Sequence, residues 1–123
     1  MSVTENKELV HRYFDERWNK KNYAVIDELL APSWDVEEQK AMVAAMHAAF
    51  GNLQLTMGQL IAEDDRVVVP WEVTGTNQGE SMGVEPTGKQ VTFRGLAILR
   101  IADGKIVEDD AFGNMLEVLL DKS

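Results

Sequence analysis

Residues 83–108, GVEPTGKQVTFRGLAILRIADGKIVE, decide the fold. A polar Gly/Pro/Thr loop, Gly83 to Gln90, gives way to an apolar run from Val91 to Ile101. Asp103-Gly104 then turns the chain into a second strand, from Lys105 to about Asn114. Asp-Gly between two apolar runs is a strong short-range hairpin signal, because both central residues of the favoured turn need positive φ.

Upstream of the hairpin the period of the apolar residues changes once. Leu9, Val10, Tyr13, Phe14 and Trp18 recur at helical spacing, with Thr4 as the expected cap. Val25, Ile26, Leu29 and Leu30 mark a short second helix, which Ala31-Pro32 stops. Ser33 or Asp35 can cap a third helix, from about Val36 to Ala49. After Gly51-Asn52 the pattern alternates: Leu53, Leu55 and Met57 face away from Gln54 and Thr56, the signature of a strand. Glu63-Asp64-Asp65 is a turn, and Arg66 to about Thr76 a second strand. Pro70 inside that strand lacks a ladder donor, which implies a bulge or an unpaired edge. Met115 to Leu120 is a short amphipathic helix or a last strand extension. Helices first and then strands joined by turns make an α+β pattern. The helices cover one face of a curved antiparallel sheet and leave a cavity at its wide end.

Composition removes several classes of function. The chain has 123 residues, enough for one domain, expected over 1–123. Twenty-one acidic and 12 basic residues give a net charge of −9, which disfavours nucleic acid and anionic membranes. Cysteine is absent, so disulfides and thiolate chemistry are excluded. The two histidines, His11 and His47, follow no ligand spacing, so no metal or organic cofactor is expected. Gly79, Gly83 and Gly88 make no dinucleotide fingerprint, and the PTGK loop lacks a P-loop pattern. The opening MSVTENKELVHRYF lacks the apolar stretch of a signal peptide, and a cytoplasmic location is expected.

The blocks G-V-E-P-T-G-K-Q-V and R-I-A-D-G-K-I-V-E, with ELVHRYFDERWN, AVIDELLAP and LIAEDDRVVVPWEVTGTNQGE, resemble the SnoaL-like polyketide cyclase and ester cyclase family of the nuclear-transport-factor-2-like superfamily. The resemblance implies a cone-shaped, cystatin-like roll, a small-molecule pocket and a homodimer. The expected dimer contact is the outer sheet face around Thr92–Arg94 and Ile98–Arg100.

Three family positions differ. The family's Asp-His after the second helix is missing, Asn77 stands where the family has His, and Asn114 stands where it has an acid/base Asp. An amide cannot take a proton at neutral pH, whereas a carboxylate can. Either the chain is a binder or the role has moved, and the expected catalytic residue is then Asp110. On a strand, residues 110, 112 and 114 share a face. A carboxylate beside Phe112 in an apolar pocket would be desolvated and able to act as a base. The competing reading of Asp110 is a solvated charge in the run Glu108-Asp109-Asp110.

Asn114 and Tyr13 are the expected polar anchors for a ligand. Trp18, Met46, Phe50, Trp71, Phe93 and Phe112 are the expected wall. The expected ligand is a small apolar or aromatic carbonyl compound, converted by proton transfer of cyclase or isomerase type. The alternatives are a non-catalytic binding or dimerisation module, or a diverged or engineered scaffold with another reaction in the same pocket.

Overall fold

The computed structural model of the protein describes residues 2–121; Met1, Lys122 and Ser123, the ends of the expected 1–123 domain, lie outside them. Helix α1 (Val3–Phe14) runs into a π-helical turn at Asp15–Asn19, followed by α2 (Ala24–Leu29) and α3 (Val36–Ala49). The strands are β1 (Phe50–Met57), β2 (Ile61–Glu63), β3 (Arg66–Asn77), β4 (Gln90–Ala102) and β5 (Lys105–Gly113), and α4 (Met115–Leu120) is the last element among the described residues.

Helix α1 is capped by Ser2 and not by Thr4. Glu5 N–H donates to Ser2 Oγ at 3.1 Å, and Ser2 N–H donates to Glu5 Oε1 at 3.1 Å. Glu5 can complete this capping box, whereas the residue three beyond Thr4 is Lys7, which cannot accept. Of the two expected caps for α3, Asp35 serves, accepting from Glu38 N–H at 3.0 Å.

The sheet is antiparallel with order β1-β3-β4-β5, and β2 pairs with β3 beyond the end of β1. β3 and β4 pair without a break from Arg66↔Arg100 to Thr76↔Gln90. Pro70 causes no shift of register; it pairs with Leu96, and its other side meets the gap between β1 and β2. Gly58 N–H bridges that gap to Pro70 O at 2.8 Å. Asp103 and Gly104 have φ of 53° and 72°, as the hairpin turn requires. The inward side chains Val67, Val69, Val73, Ala97, Leu99 and Ile101 bury against Val10, Phe14, Ile26 and Leu29 of the helices. Each large one contributes about 1.5–3 kcal/mol by leaving water.

The π-helical turn is tied to the sheet by one side chain. Asn19 Oδ1 accepts from Leu55 N–H at 2.7 Å, and its Nδ2 donates to Leu55 O at 2.9 Å and to Asp15 Oδ1 at 3.1 Å. The amide thus pairs with the open edge of β1 as a neighbouring strand would. Asn19→Leu strands both polar groups of Leu55, and the expected loss is about 2 kcal/mol, at roughly 1 kcal/mol per hydrogen bond. Urea unfolding measures it, with a lower midpoint at an unchanged slope as the expected result.

Candidate functional site

A cavity of about 370 Å³ opens between the end of α1, the π-helical turn, α3 and the inner face of the sheet. Its wall is largely apolar: Phe14, Trp18, Trp34, Met46, Trp71 and Phe93 supply most of it. The sheet side is shaped by two glycines. Trp71 pairs with Gly95, and Gly95 pairs with Gly113, so the three sit in one row across the strands. A Cβ on Gly113 would stand 2.7 Å from the Trp71 ring, and one on Gly95 would stand 1.9 Å from the Phe112 carbonyl oxygen. Only glycine at both positions leaves room for the indole to approach the strands this closely.

Three polar side chains line this wall: Arg17, Gln39 and Asp109. Arg17 comes from the π-helical turn, on the face shared by Tyr13, Phe14 and Trp18, and is only 3% exposed. Its guanidinium lies 5.0 Å from the Tyr13 ring centroid and 4.9 Å from that of Trp18, and Nη1 donates to the Tyr13 hydroxyl. Aromatic faces and a hydroxyl replace part of the water that the cation has lost. Arg17 Nε–H, buried, has no protein partner. Asp109 Oδ1 is buried and has none either. Burial pushes the Asp109 carboxyl above the usual aspartate range; the Arg17 charge pulls it back down, and neighbouring Asp110 adds to the rise. Burial likewise raises the Tyr13 hydroxyl.

Asp110, the expected catalytic residue, does not line the cavity; the aspartate that does is its neighbour Asp109. Asp110 is exposed on the outer sheet face, paired with Ile98. The cause is a bulge. Ile101 pairs with Ile106 but Arg100 pairs with Glu108, so Val107 is an extra residue in β5. One inserted residue reverses the alternation beyond it. Ile106 is buried in the core, and the next residues on its side are Asp109 and Ala111, both lining the cavity.

The same reversal turns Phe112 outward, 59% exposed and paired with Leu96, so it is no part of the wall. Asn114 is not an anchor in the cavity: its Oδ1 accepts from Arg94 N–H at 2.9 Å and its own N–H donates to Arg94 O at 3.2 Å. It closes the end of the β4–β5 ladder where β5 gives way to α4. Tyr13 is fully buried and meets the site through Arg17, not as part of the lining. Phe50 stands behind the wall, edge-on to Phe93 with centroids 5.1 Å apart. Trp18, Met46, Trp71 and Phe93 line the cavity where they were expected.

Sequence reading missed Arg17, although a signal existed. An arginine four residues after Tyr13, on an otherwise apolar helical face, must be buried with partners or break that face. Asn77, at the family's His position, is 2% exposed and zips the 78–89 loop, donating N–H to Lys89 O at 2.9 Å and accepting from Gly88 N–H at 2.8 Å. His47 joins two helical segments. Its Nε2 lies 2.8 Å from Trp18 O, which can only accept, so Nε2 carries the proton and Nδ1 accepts from the Tyr23 hydroxyl at 2.8 Å. Among the described residues no three His, Cys, Asp or Glu side chains gather as metal ligands.

Known proteins resemble this chain over almost all its length. It is 32% identical to AclR, described as a putative hydroxylase from Streptomyces galilaeus, with a TM-score of 0.81 over 93% of this chain and 81% of that one. A putative SnoaL-like polyketide cyclase from Jannaschia sp. CCS1 is 29% identical, with a TM-score of 0.84 over 95% and 90% of the two chains. TsrD from Streptomyces laurentii shares the fold at 19% identity, with a TM-score of 0.87 over 98% of both. No curated protein matches the chain. The SnoaL-like polyketide cyclase model matches residues 8–121, and the chain belongs to that family.

Proposed function

We propose that the protein binds a small, largely apolar carbonyl compound in this cavity and moves a proton on it, with Asp109 as base and Arg17 as oxyanion support. The observation that carries the reading is the pair of buried, unpartnered atoms, Arg17 Nε and Asp109 Oδ1, in one apolar cavity. Orphaned buried polar atoms are costly and rare, and a ligand oxygen and a ligand proton would satisfy both.

Asp109 Oδ1 takes a proton from the carbon next to the carbonyl. The electron pair moves into an enolate, whose oxygen accepts from Arg17 Nε–H. The hydrogen bond between Arg17 Nη1 and Tyr13 and the two ring faces hold the guanidinium for that contact. Where the compound is unsaturated beside that carbon, the resulting dienolate takes the proton back from Asp109 at its far carbon, which is isomerisation; otherwise the enolate carbon attacks a second carbonyl of the same molecule. In the latter case Asp109 returns its proton to the new alkoxide and the ring closes. No cofactor enters this scheme. The lack of cysteine and the acidic charge suit work in the cytoplasm.

The test is deuterium exchange at the α-carbon of an aryl methyl ketone or 1,3-diketone probe, followed by NMR in heavy water. The wild type accelerates exchange, and Asp109→Asn and Arg17→Leu each lower it by about 10²-fold or more. Asp110→Asn keeps most of it. If the wild type binds the probe, read as quenched tryptophan fluorescence, but exchanges nothing, the protein is a binder and not an enzyme.

The pH dependence has a definite sign. Exchange rises as Asp109 ionises, with a midpoint above the usual aspartate value of about 3.9. Arg17→Leu moves that midpoint further up, because the Arg17 charge is what lowers it. The raised carboxyl also means that the folded state holds this proton more tightly than the unfolded chain does. The contribution of Asp109 to stability is therefore fullest below the ordinary aspartate range and falls as pH rises through its folded value. Urea midpoints of the wild type and Asp109→Asn across pH 3–7, a range chosen to bracket about 3.9, show whether the fall belongs to this group.

We also propose a homodimer across the outer sheet face. Pro70, Leu96 and Phe112 form one row there, with Leu96 39% and Phe112 59% exposed. Large exposed apolar side chains in a contiguous row favour an interface. Sedimentation of the wild type should give twice the 13.8 kDa chain mass, and Phe112→Asp should give a monomer.

A further inference from the structure

The cavity carboxylate is chosen by a bulge, and the bulge has a visible restraint. Ile106, the last residue before the extra Val107, has a carbonyl that accepts two hydrogen bonds from outside the sheet. One comes from Ala31 N–H at 2.9 Å and the other from the Trp34 indole Nε1–H at 2.9 Å. Leu30 forms a short parallel bridge with Ile106 beside them. The chain after α2 therefore grips β5 at one peptide. A regular ladder would continue Ile101↔Ile106 with Arg100 opposite Val107, and would turn Glu108 and Asp110 inward. The grip falls at the step where that continuation fails.

We infer that Trp34 is a positioning residue: its indole N–H pins the Ile106 carbonyl at the β5 bulge and so selects Asp109, not Asp110, as the carboxylate of the cavity. This rests on the reading of Asp109 as the working group of the site, but it concerns where that group points and not what it does. Trp34 is also part of the cavity wall, so one side chain would link the shape of the wall to the aim of the carboxylate. The two donors share the load, and Trp34 is the one whose bond a side-chain substitution can remove.

Two full-length variants separate the indole N–H from the indole shape. Trp34→Phe removes both the N–H and part of the volume. Replacing Trp34 with benzothienylalanine keeps the bicyclic shape and removes the N–H alone. Carbon-13 labelling of the aspartate carboxyls, with Asp109→Asn assigning the signal, gives the titration of Asp109 by NMR without any substrate. Arg17, Tyr13 and Asp110 are the charged or titratable groups that act on it, and none is altered.

The expected result is that the wild-type Asp109 signal titrates above about 3.9 and moves down toward that value in both variants. Asp109 then spends time facing water, and thermal unfolding stays cooperative. An Asp109 titration unchanged in the folded benzothienylalanine variant overturns the inference. Loss of the fold in both variants also overturns it, since the bond would then support the structure as a whole. Failure of the enzyme reading looks different: titration responds to Trp34 as expected, and the ketone probe still does not exchange.

Discussion

The unbroken ladder between β3 and β4 is the constraint on which the rest of the structure depends. It runs from Arg66↔Arg100 to Thr76↔Gln90, and its period of two gives every residue in both strands a face. One end of the inner face is packed solid by Val67, Val69, Leu99 and Ile101. The other end carries Trp71 and Phe93, with Gly95 beside Trp71 in its row, and there the helices stand off to leave the cavity. Core and cavity are thus two ends of one surface. A slip of one residue would empty the core and fill the cavity at once.

Two departures from regular structure put charge into that cavity. The π-helical turn at Asp15–Asn19 carries Arg17, and the β5 bulge turns Asp109 inward. π-Helical turns and bulges recur at functional sites because they re-aim side chains that regular periodicity would send elsewhere. Each is anchored by a side chain that substitutes for a backbone partner: Asn19 on Leu55, and Trp34 on Ile106. The buried charges are held incompletely. Tyr13 and two ring faces compensate Arg17, and Arg17 compensates Asp109, yet one atom on each remains unsatisfied. A fold selected for stability alone would favour apolar side chains here.

The amides that replace family polar residues have found structural work. The Asn77 amide donates to Thr87 Oγ1 at 3.4 Å within the loop between β3 and β4, and the Asn114 amide accepts from Arg94 N–H where β5 closes onto β4. Neither touches the cavity. Loss of a familiar chemical group at those positions therefore leaves Arg17 and Asp109 at the cavity unaffected.

The sequence by itself determined the α+β order, the Asp103-Gly104 hairpin, the stop at Ala31-Pro32 and most of the apolar wall. These follow from local backbone geometry and from the period of apolar residues, which a single chain displays directly. It also pointed to the run Glu108-Asp109-Asp110 for a pocket carboxylate, and within it to Asp110. Only the tertiary structure decided which carboxylate lines the cavity. Alternation counted back from Asn114 selects Asp110 only if Asn114 faces the cavity, and Asn114 instead pairs with Arg94; counted forward from buried Ile106, it selects Asp110 only if no residue is inserted. The inserted Val107 is fixed by contacts that Ala31 and Trp34 make with Ile106, the latter 72 positions away along the chain. Arg17 was hidden for a related reason. A charged side chain on a helix is ordinarily solvated, and only the assembled ring faces, the Tyr13 hydroxyl and the Asp109 charge make its burial tolerable.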